Sequence, residues 1–353
     1  IEAALVKRPR PNLHFHYFDL APALLRLKRW MGTNVYYYLW QRRAKDLAAQ
    51  LHSVVGFDLG HHVTFVVIRH PSFLEGLGVP YIFGPVSGGD NIPLPLLRKM
   101  PLRVRLAESF RLLVTRFMLQ TPAVKRTLEN AKRIVVTSEQ TGQLLPKSLQ
   151  QKVSVRLAIS APDTWQIRAD PRTIDGSSPV KLLFVGRLIP LKGVEFALEA
   201  VGKLLHEGRK LRFTIVGEGP ERPKLQQLAQ SLRIEQFVDY LPWLPRDGLE
   251  KVYDDHDILL FPSLRDSGGM VVLEAMRFGL PVVCVNVGGP GVMVTADCGR
   301  AISAGDHGQT ISLLAKALAG LIDDPTHYAN CSRGALARVS ALSDTELFRA
   351  LGY

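Results

Sequence analysis

The stretch Phe261–Gly291, FPSLRDSGGMVVLEAMRFGLPVVCVNVGGPG, organises the interpretation of the whole chain. An apolar run ending at Phe261 predicts a buried strand, a polar turn (DSGG, residues 266–269) follows it, and apolar residues at helical spacing come next. The run PVVCV then predicts a second strand, which ends before a second glycine-rich loop, residues 288–291. Both loops follow strands, and open α/β sheets bind ligands at the carboxyl ends of their strands.

The DSGG turn has the chemistry of an anion site. The first N–H groups of a helix lack intrahelical partners and the helix dipole is positive there, so backbone amides can hold a phosphate. The carboxylates of Asp266 and Glu274 flank the turn, and we expect Glu274 about two turns into the helix. Because carboxylates accept hydrogen bonds from sugar hydroxyls, the pattern favours a ligand with both phosphate and sugar groups.

A second basic loop follows another predicted strand. In VKLLFVGRLIPLKG, the side chains of Arg187 and Lys192 can converge on a diphosphate, the first as a planar fork and the second as a point charge. Such a loop alone is often merely solvated, but together with the DSGG turn it predicts a phosphate clamp. The segment VGEGPERP does not support a dinucleotide fingerprint, because Arg222 stands where the third glycine is needed.

Length and pattern predict two α/β domains. The chain has 353 residues and 46% hydrophobic content, enough for two cores, and strands alternate with helices in both halves, which predicts parallel sheets. A polar, proline-containing segment predicts the linker. We expect a first domain over residues 1–160, a linker over 161–179, a second domain over 180–340 and a tail over 341–353 that returns to the first domain. Because the sequence begins with Ile1 rather than Met, a short preceding segment is also expected.

Positive charge is concentrated in the first half. Residues 1–165 contain 23 Lys and Arg against 10 Asp and Glu, whereas the remainder contains 21 against 22. Such a field attracts an anionic partner, namely membrane lipid, nucleic acid or a phosphorylated substrate. In residues 95–119 basic and large apolar side chains alternate, which is typical of a helix in a membrane interface or of a surface helix with a solvated basic face. The basic residues there are Arg98, Lys99, Arg103, Arg105, Arg111 and Arg116. The charge of the whole first domain favours an anionic membrane surface.

Several absences restrict the function classes. No apolar run approaches the roughly 20 residues of a spanning helix, and the three scattered cysteines form no CxxC pair, which favours a reducing compartment without structural zinc. Nucleic acid is not expected, because neither aromatic residues nor a recognition helix accompany the basic residues. We expect a cytoplasmic protein, peripheral at the cytoplasmic face of a membrane.

The first half supplies candidates for the other side of a cleft. NLHFHYFDL, residues 12–20, predicts a strand, and residues 36–55 predict an amphipathic helix. FDLGHHVTFVV predicts a strand near whose end stand two histidines, and adjacent strand residues face opposite ways, so one of the pair is expected in the core. The candidates for acceptor or cleft contacts are His61, His62, Ser87, Gly88, Gly89 and Asp90.

VGRLIPLKG, IVGEGP and FPSLRDSGGMVVLEAMRFGLPVV, in this order, resemble the retaining nucleotide-sugar glycosyltransferases of the GT-B fold, in the large family-four group. The similarity is strong over residues 180–300, and FDLGHHVTF and GVPYIFGPVSGGD resemble the first half of the same group. It implies an α/β architecture of two Rossmann-like domains facing across a cleft, metal-independent chemistry and retention of anomeric configuration. The family's first strand and its glycine-rich loop are not visible, so the N-terminal domain is expected to lack its first strand.

The resemblance also implies residue roles. Arg187 and Lys192 would hold the donor diphosphate, and Glu274 would accept the ribose hydroxyls. Asp266 stands where the family usually has a glutamate that contacts the donor sugar, and Arg187, Lys192 and Asp266 are the expected catalytic residues. The expected donor-binding set is Gly186, Arg187, Lys192, Gly217, Glu218, Trp243, Leu244, Asp266, Ser267, Gly268, Gly269, Met270 and Glu274.

The sequence therefore predicts a retaining, hexosyltransferase-type enzyme without cofactor or metal. It would move a sugar from a nucleotide diphosphate sugar, a UDP- or GDP-sugar, to a lipid-linked or saccharide acceptor. Two alternatives stay open: a non-catalytic basic protein that binds nucleotides or nucleic acid, and a sugar phosphorylase that uses inorganic phosphate on the same fold.

Overall fold

The computed structural model describes residues 12–63, 65 and 67–351. Two parallel sheets form its framework. The first contains four strands, which lie side by side in chain order. They are β1 (Gly60–His62), β2 (Tyr81–Val86), β3 (Arg133–Val136) and β4 (Val153–Val155).

The second sheet contains six parallel strands in the order β10-β9-β8-β5-β6-β7. They are β5 (Val180–Val185), β6 (Leu211–Val216), β7 (Val238–Leu241), β8 (Ile258–Phe261), β9 (Val282–Val285) and β10 (Gly299–Ile302). The chain runs outward from β5 to β7 and returns to β8, so the strand order reverses between β5 and β8. A reversal of this kind opens a crevice at the carboxyl ends of the two strands, where α/β sheets bind ligands.

Helices cover both sheets. Those of the first half are α1 (Pro22–Val55), α2 (Leu94–Lys99), α3 (Leu102–Leu119), α4 (Pro122–Asn130) and α5 (Glu139–Gly142). Those of the second half are α6 (Val194–His206), α7 (Arg222–Ser231), α8 (Arg246–Asp254), α9 (Met270–Arg277), α10 (Gly288–Met293), α11 (His307–Ile322), α12 (Pro325–Ala341) and α13 (Asp344–Leu351). Gly32 breaks α1 with a left-handed φ of 71°.

Three local predictions are wrong. Residues 12–20 form no strand but run beside α1, where the Trp40 indole N–H donates to the Phe18 carbonyl at 3.0 Å. The single helix predicted over 95–119 is two helices, because Pro101 forces the preceding residue into an extended conformation (φ −69°, ψ 155°). The glycine-rich segment after β9 is not a loop but the start of α10.

The buried residues form two main cores. The larger one surrounds the second sheet and also includes Leu96 of α2, which is 1% exposed. The smaller one lies under the first sheet, around Phe83 and Ile134. Cys284, Cys298 and Cys331 are buried and free of disulfides. Across the described ranges, no helix combines the length and the apolar character that crossing a bilayer requires.

The chain crosses between the two halves twice, side by side. The first crossing is the segment around Ala161, whose N–H donates to Leu342 at 2.8 Å and whose carbonyl accepts from Asp344 at 3.0 Å. The second crossing leads into α13, where Leu347 packs against Ile82 and Val135 of the first sheet. The end of the chain therefore returns to the first half.

Candidate active site

A cavity of about 300 Å³ lies between the two halves, at the crevice where the strand order reverses. The segment after β1, the loop after β2 and α3 line it from the first half, and the loops after β5 and β8 line it from the second. The lining residues are Val67, Arg69, Ser87, Gly88, Asp90, Arg111, Arg187, Ile189, Leu191, Lys192, Arg265, Asp266 and Ser267. Seven predicted site residues therefore meet here, four from the second half and three from the first.

The loop after β5 is held by the loop after β6. The Gly186 N–H donates to the Val216 carbonyl at 3.0 Å, and the Leu188 N–H donates to the carbonyl of Glu218 at 2.8 Å, while the Glu218 side chain is exposed. A side chain on Gly217 would stand 2.0 Å from the Gly186 oxygen, so only glycine permits this approach. The pairing fixes the backbone from which the Arg187 side chain extends.

Arg187 and Lys192 differ in their surroundings. The Arg187 side chain is exposed, and no hydrogen bond or ion pair joins it to any other described residue. Lys192 lies above the Phe261 ring at 5.1 Å, and its Nζ is 2.5 Å from Asp266 Oδ2, with both side chains less than 20% exposed. Two of the predicted catalytic residues are thus an ion pair across the crevice, and the third is a free cation beside them.

The DSGG turn is supported by the glycine-rich segment after β9. Gly269 precedes α9 with a left-handed φ of 77°, so that the chain turns sharply into the helix at Met270. The Gly289 N–H donates to the Asp266 carbonyl at 2.8 Å. A side chain on Gly288 would stand 2.0 Å from that same oxygen. The glycine-rich segment after β9 therefore holds the backbone of the DSGG turn in place.

Glu274 lies one turn into α9, not two as predicted, because residues 266–269 form a turn rather than helix. Its Oε2 accepts a hydrogen bond from the Tyr253 hydroxyl at 2.8 Å. Burial, and then the nearby carboxylate, raise the pKa of Tyr253 well above its ordinary value, which keeps this hydroxyl a donor. Glu274 lines a small recess beside Trp165 and Arg277 rather than the 300 Å³ cavity.

Trp243 and Leu244 follow β7, the edge strand of the second sheet. Trp243 is 71% exposed and Leu244 is half-buried. Neither lines the cavity, but both follow the carboxyl end of a strand in the same parallel sheet. An exposed indole there is available for stacking.

The first half contributes the loop Ser87–Asp90, and Arg111 of α3 holds it. The Arg111 guanidinium donates to the carbonyl of Gly88 at 2.9 Å and to the carbonyl of Asp90 at 2.8 Å. Gly89 is packed so tightly that a side chain would stand 2.4 Å from the Cα of Thr141. These contacts fix the loop against the cavity.

Asp90 is the buried carboxylate of this loop, at 3% exposure. Burial raises its pKa, while the Ser138 hydroxyl, which donates to Oδ1 at 2.5 Å, opposes the shift together with Arg111 and Arg265. Ser138 also caps α5 by accepting from the Thr141 N–H. The carboxylate is thus oriented at the cavity wall.

Glu108 and Arg265 are site residues that sequence reasoning missed. Glu108 is 6% exposed and pairs with Arg111 at 3.0 Å, and its other oxygen pairs with Arg265 of the loop after β8. This ion pair joins the two halves beside the cavity. The available signal was that Glu108 is the one acidic residue in the basic segment 95–119.

The two histidines lie outside the cavity lining. His62 is buried in a polar network with Gln41 (3.3 Å) and Ser72 (3.1 Å). His61 faces the opposite way, 2.7 Å from the Gly84 carbonyl, and burial lowers its pKa, which favours the neutral ring as a donor. The prediction that one histidine of the pair faces the core is confirmed.

A larger cavity, about 900 Å³, lies away from both glycine-rich turns, between α1 and residues 73–76. Its walls mix basic residues, including Arg42 and Arg43, with Asp46 and Glu75. It includes no predicted site residue. In the part of the chain that the structure covers, no group of three or more His, Cys, Asp or Glu side chains could hold a metal ion.

Comparison with known proteins finds a family match in the second half. Residues 169–338 match the family model of the glycosyl transferases group 1. A 2-deoxystreptamine glucosyltransferase of Streptomyces kanamyceticus is 30% identical over 264 residues, which cover 71% of this chain and 58% of that protein. An uncharacterized glycosyltransferase of Methanocaldococcus jannaschii is 39% identical over 108 residues, 31% of this chain and 27% of that protein. The chain thus spans less than two thirds of these curated relatives.

Solved structures with the same architecture extend over both halves. The lipopolysaccharide outer core galactosyltransferase WaaB superposes with a TM-score of 0.59 at 16% identity, covering 90% of this chain and 80% of that one. HepE of Anabaena, solved in complex with UDP, superposes with a TM-score of 0.55 at 14% identity, covering 87% and 80%. The two-sheet α/β architecture is therefore that of the GT-B glycosyltransferases.

Proposed function

We propose that this chain, whose residues 169–338 match the glycosyl transferases group 1 model, transfers a hexose from a nucleotide diphosphate sugar with retention of anomeric configuration. One observation carries the proposal: Arg187, Lys192 and the first residues of the DSGG turn line one cavity, at the point where the strand order of the second sheet reverses. This set offers two cations to a diphosphate, and the start of α9 follows the turn directly. The HepE structure contains UDP, and we extend a UDP-type donor to this chain.

In the proposed transfer, negative charge develops on the departing diphosphate. The bond between the anomeric carbon and the diphosphate oxygen breaks, the acceptor hydroxyl oxygen bonds to the same face of that carbon, and the hydroxyl proton moves to the departing diphosphate. Arg187 and Lys192 stabilise the growing negative charge of the leaving group. When Lys192 contacts the diphosphate, Asp266 becomes available to a sugar hydroxyl, and its short side chain limits which hydroxyl it reaches.

The acceptor enters from the first half. Asp90 lies at the cavity wall opposite the loop after β5 and offers a carboxylate to an acceptor hydroxyl. We propose a lipid-linked or saccharide acceptor. WaaB acts on lipopolysaccharide outer core, as its name states, and that relative supports the lipid-linked choice.

UDP is expected to raise the melting temperature of the protein, since a ligand at 100 times its Kd stabilises by about 2.7 kcal/mol. Trp243→Ala should weaken the binding of UDP by roughly 1–3 kcal/mol, because the exposed indole stacks on the base. Differential scanning fluorimetry across UDP and GDP concentrations measures both effects. Trp30→Ala, which removes an 89% exposed indole on α1, is the matched control. Stabilisation by inorganic phosphate alone, with none by either nucleotide, would favour a phosphorylase.

A stripe on α3 supports binding at an anionic membrane. Five large apolar side chains, each 62–68% exposed, lie on the helix face opposite Glu108 and Thr115. They are Leu102, Leu106, Phe110, Leu113 and Phe117, hereafter the α3 stripe. Basic residues flank it in the segment 98–116. A helix with an apolar face and basic flanks inserts at a lipid interface, and anionic lipid is concentrated at the cytoplasmic leaflet.

Replacing Leu106 and Leu113 together with serine is expected to lower partitioning onto anionic vesicles at least tenfold. Each leucine contributes roughly 1.5–3 kcal/mol when fully buried. Vesicle co-sedimentation at several phosphatidylserine fractions measures the loss, and Leu313→Ser, on α11 and 38% exposed, is the control. Binding by the unchanged protein should also weaken as salt rises. Sedimentation that is indifferent to lipid charge and to salt would contradict the membrane proposal.

A further inference from the structure

A third cavity, apolar and of about 430 Å³, adjoins the 300 Å³ cavity, which we call the cleft. It is a groove between α1, which contributes Val35 and Tyr38, and α3, which contributes Phe110, Val114 and Met118. Its size lies within the roughly 300–1,000 Å³ of small-molecule sites, which are mostly apolar with few polar groups. We call it the α1–α3 groove.

Arg69 lies where the groove meets the cleft, because it lines both cavities. Its side chain is half-buried, and among the residues that the structure describes none forms a hydrogen bond or an ion pair with it. Burial and the nearby Arg111 charge lower the pKa of Arg69. A partly desolvated cation without a counter-charge is costly, so this position is suited to an anionic ligand. Arg111 differs, because its donors are taken by the loop Gly88–Asn91 and by Glu108.

The ion pairs of the cleft lead to the same conclusion. Three of its five cations already pair with carboxylates, namely Arg111 and Arg265 with Glu108, and Lys192 with Asp266. The other two, Arg187 and Arg69, form no ion pair with a described residue, and Arg187 belongs to the predicted diphosphate clamp. Arg69, at the mouth of an apolar groove, is therefore the cation left for a second anion.

The groove also continues the α3 stripe. Phe110 belongs to both, since it lines the groove and is 67% exposed on the stripe. A hydrocarbon chain can therefore pass from the membrane-facing surface along the groove to Arg69. The cleft with Lys192 and Asp90 lies beyond that point.

We propose that the α1–α3 groove binds the hydrocarbon chain of the sugar acceptor and that Arg69 binds the phosphate attached to that chain. The acceptor would then be an amphiphile with a single hydrocarbon chain followed by a phosphate, and its sugar-accepting end would lie in the cleft. This inference rests on the proposed function and specifies its acceptor class.

The test uses decyl phosphate, below its micelle concentration, as a soluble probe in isothermal titration calorimetry of the full chain. The unchanged protein should bind decyl phosphate at least tenfold more tightly than decanol or inorganic phosphate, because both ends contribute. Arg69→Gln should lower the affinity at least tenfold, and so should Val114→Trp, which fills the groove. Lys125→Gln on α4 and Ala107→Trp on α3 alter exposed positions outside both cavities and should leave the affinity unchanged.

UDP binding by the same samples separates the two proposals and reports on folding. If the unchanged protein binds UDP but not decyl phosphate, or binds decanol as tightly, the groove assignment is overturned and the donor site stands. If it binds decyl phosphate through Arg69 but no nucleotide, the groove stands and the transferase proposal is overturned. Should Val114→Trp lose UDP binding through misfolding, Arg69→Gln decides alone, and an unchanged affinity there overturns the proposal.

Discussion

Arg187→Ala is expected to lower kcat/KM for sugar transfer by about 10²–10³-fold, the usual effect of removing one donor that stabilises developing charge. Lys192→Ala should cost at least as much, because it also leaves Asp266 without its counter-charge. Radiolabelled sugar transfer, measured with saturating acceptor, gives the rates. The melting temperature of Arg187→Ala should not change, since that side chain is exposed and joined to no other described residue.

Lys181→Ala is the matched control for Lys192→Ala. Lys181 is the second residue of β5 and Lys192 lies in the loop after that strand. Both pair with a carboxylate, since Lys181 Nζ lies 2.7 Å from Asp255 Oδ1. Lys181, however, lies at the amino end of the strand, away from the crevice. Turnover that survives in both Arg187→Ala and Lys192→Ala, or falls equally in Lys181→Ala, would refute the diphosphate clamp.

Glu108→Gln is expected to destabilise the protein by about 3 kcal/mol, the lower end of the range for breaking a buried ion pair. The reason is that one 6% exposed carboxylate neutralises both Arg111 and Arg265. Arg265 is 29% exposed, so solvent offsets part of the loss. Urea unfolding followed by circular dichroism measures the free energy.

Asp239→Asn removes a surface carboxylate, 48% exposed and 3.0 Å from Arg212, and should cost no more than about 1 kcal/mol. A double-mutant cycle of Glu108→Gln with Arg265→Gln isolates the contact between the halves. Because Arg265 belongs to the loop that contains Asp266, kcat/KM should fall as well. A cycle with no coupling energy would mean that this ion pair does not hold the halves together.

The second half could be predicted in detail because its central strands are buried on both faces. Runs such as LLFV in β5 and ILLF in β8 are apolar throughout and end at glycine or proline, so both the strand and the loop after it are visible in the sequence. The crevice residues Arg187, Lys192 and Asp266 all follow such runs. These residues lie close together because β5 and β8 are neighbours in the sheet.

The first half was harder because its elements are short or depend on distant contacts. Residues 153–155 form a three-residue strand that no pattern distinguishes from a loop. The alternation in residues 12–20 came from exposed aromatic residues rather than from a sheet face. Glu108 and Arg265 are 157 positions apart, so no local pattern reveals their pairing. The eight-residue spacing from Asp266 overestimates the depth of Glu274 in α9 by one turn, because residues 266–269 form a turn before the helix begins.

The paired crossings near Ala161 and Leu342 determine how the halves can move. The two crossing segments are joined by hydrogen bonds of 2.8 and 3.0 Å, so they connect the halves as a pair rather than as two independent linkers. Sliding or twisting one half against the other would break the hydrogen bonds between the two segments. Bending both segments together leaves these hydrogen bonds intact. The motion of lowest energy is therefore a hinge rotation at the two crossing segments that opens and closes the cleft. In this motion α13 stays packed against the first sheet.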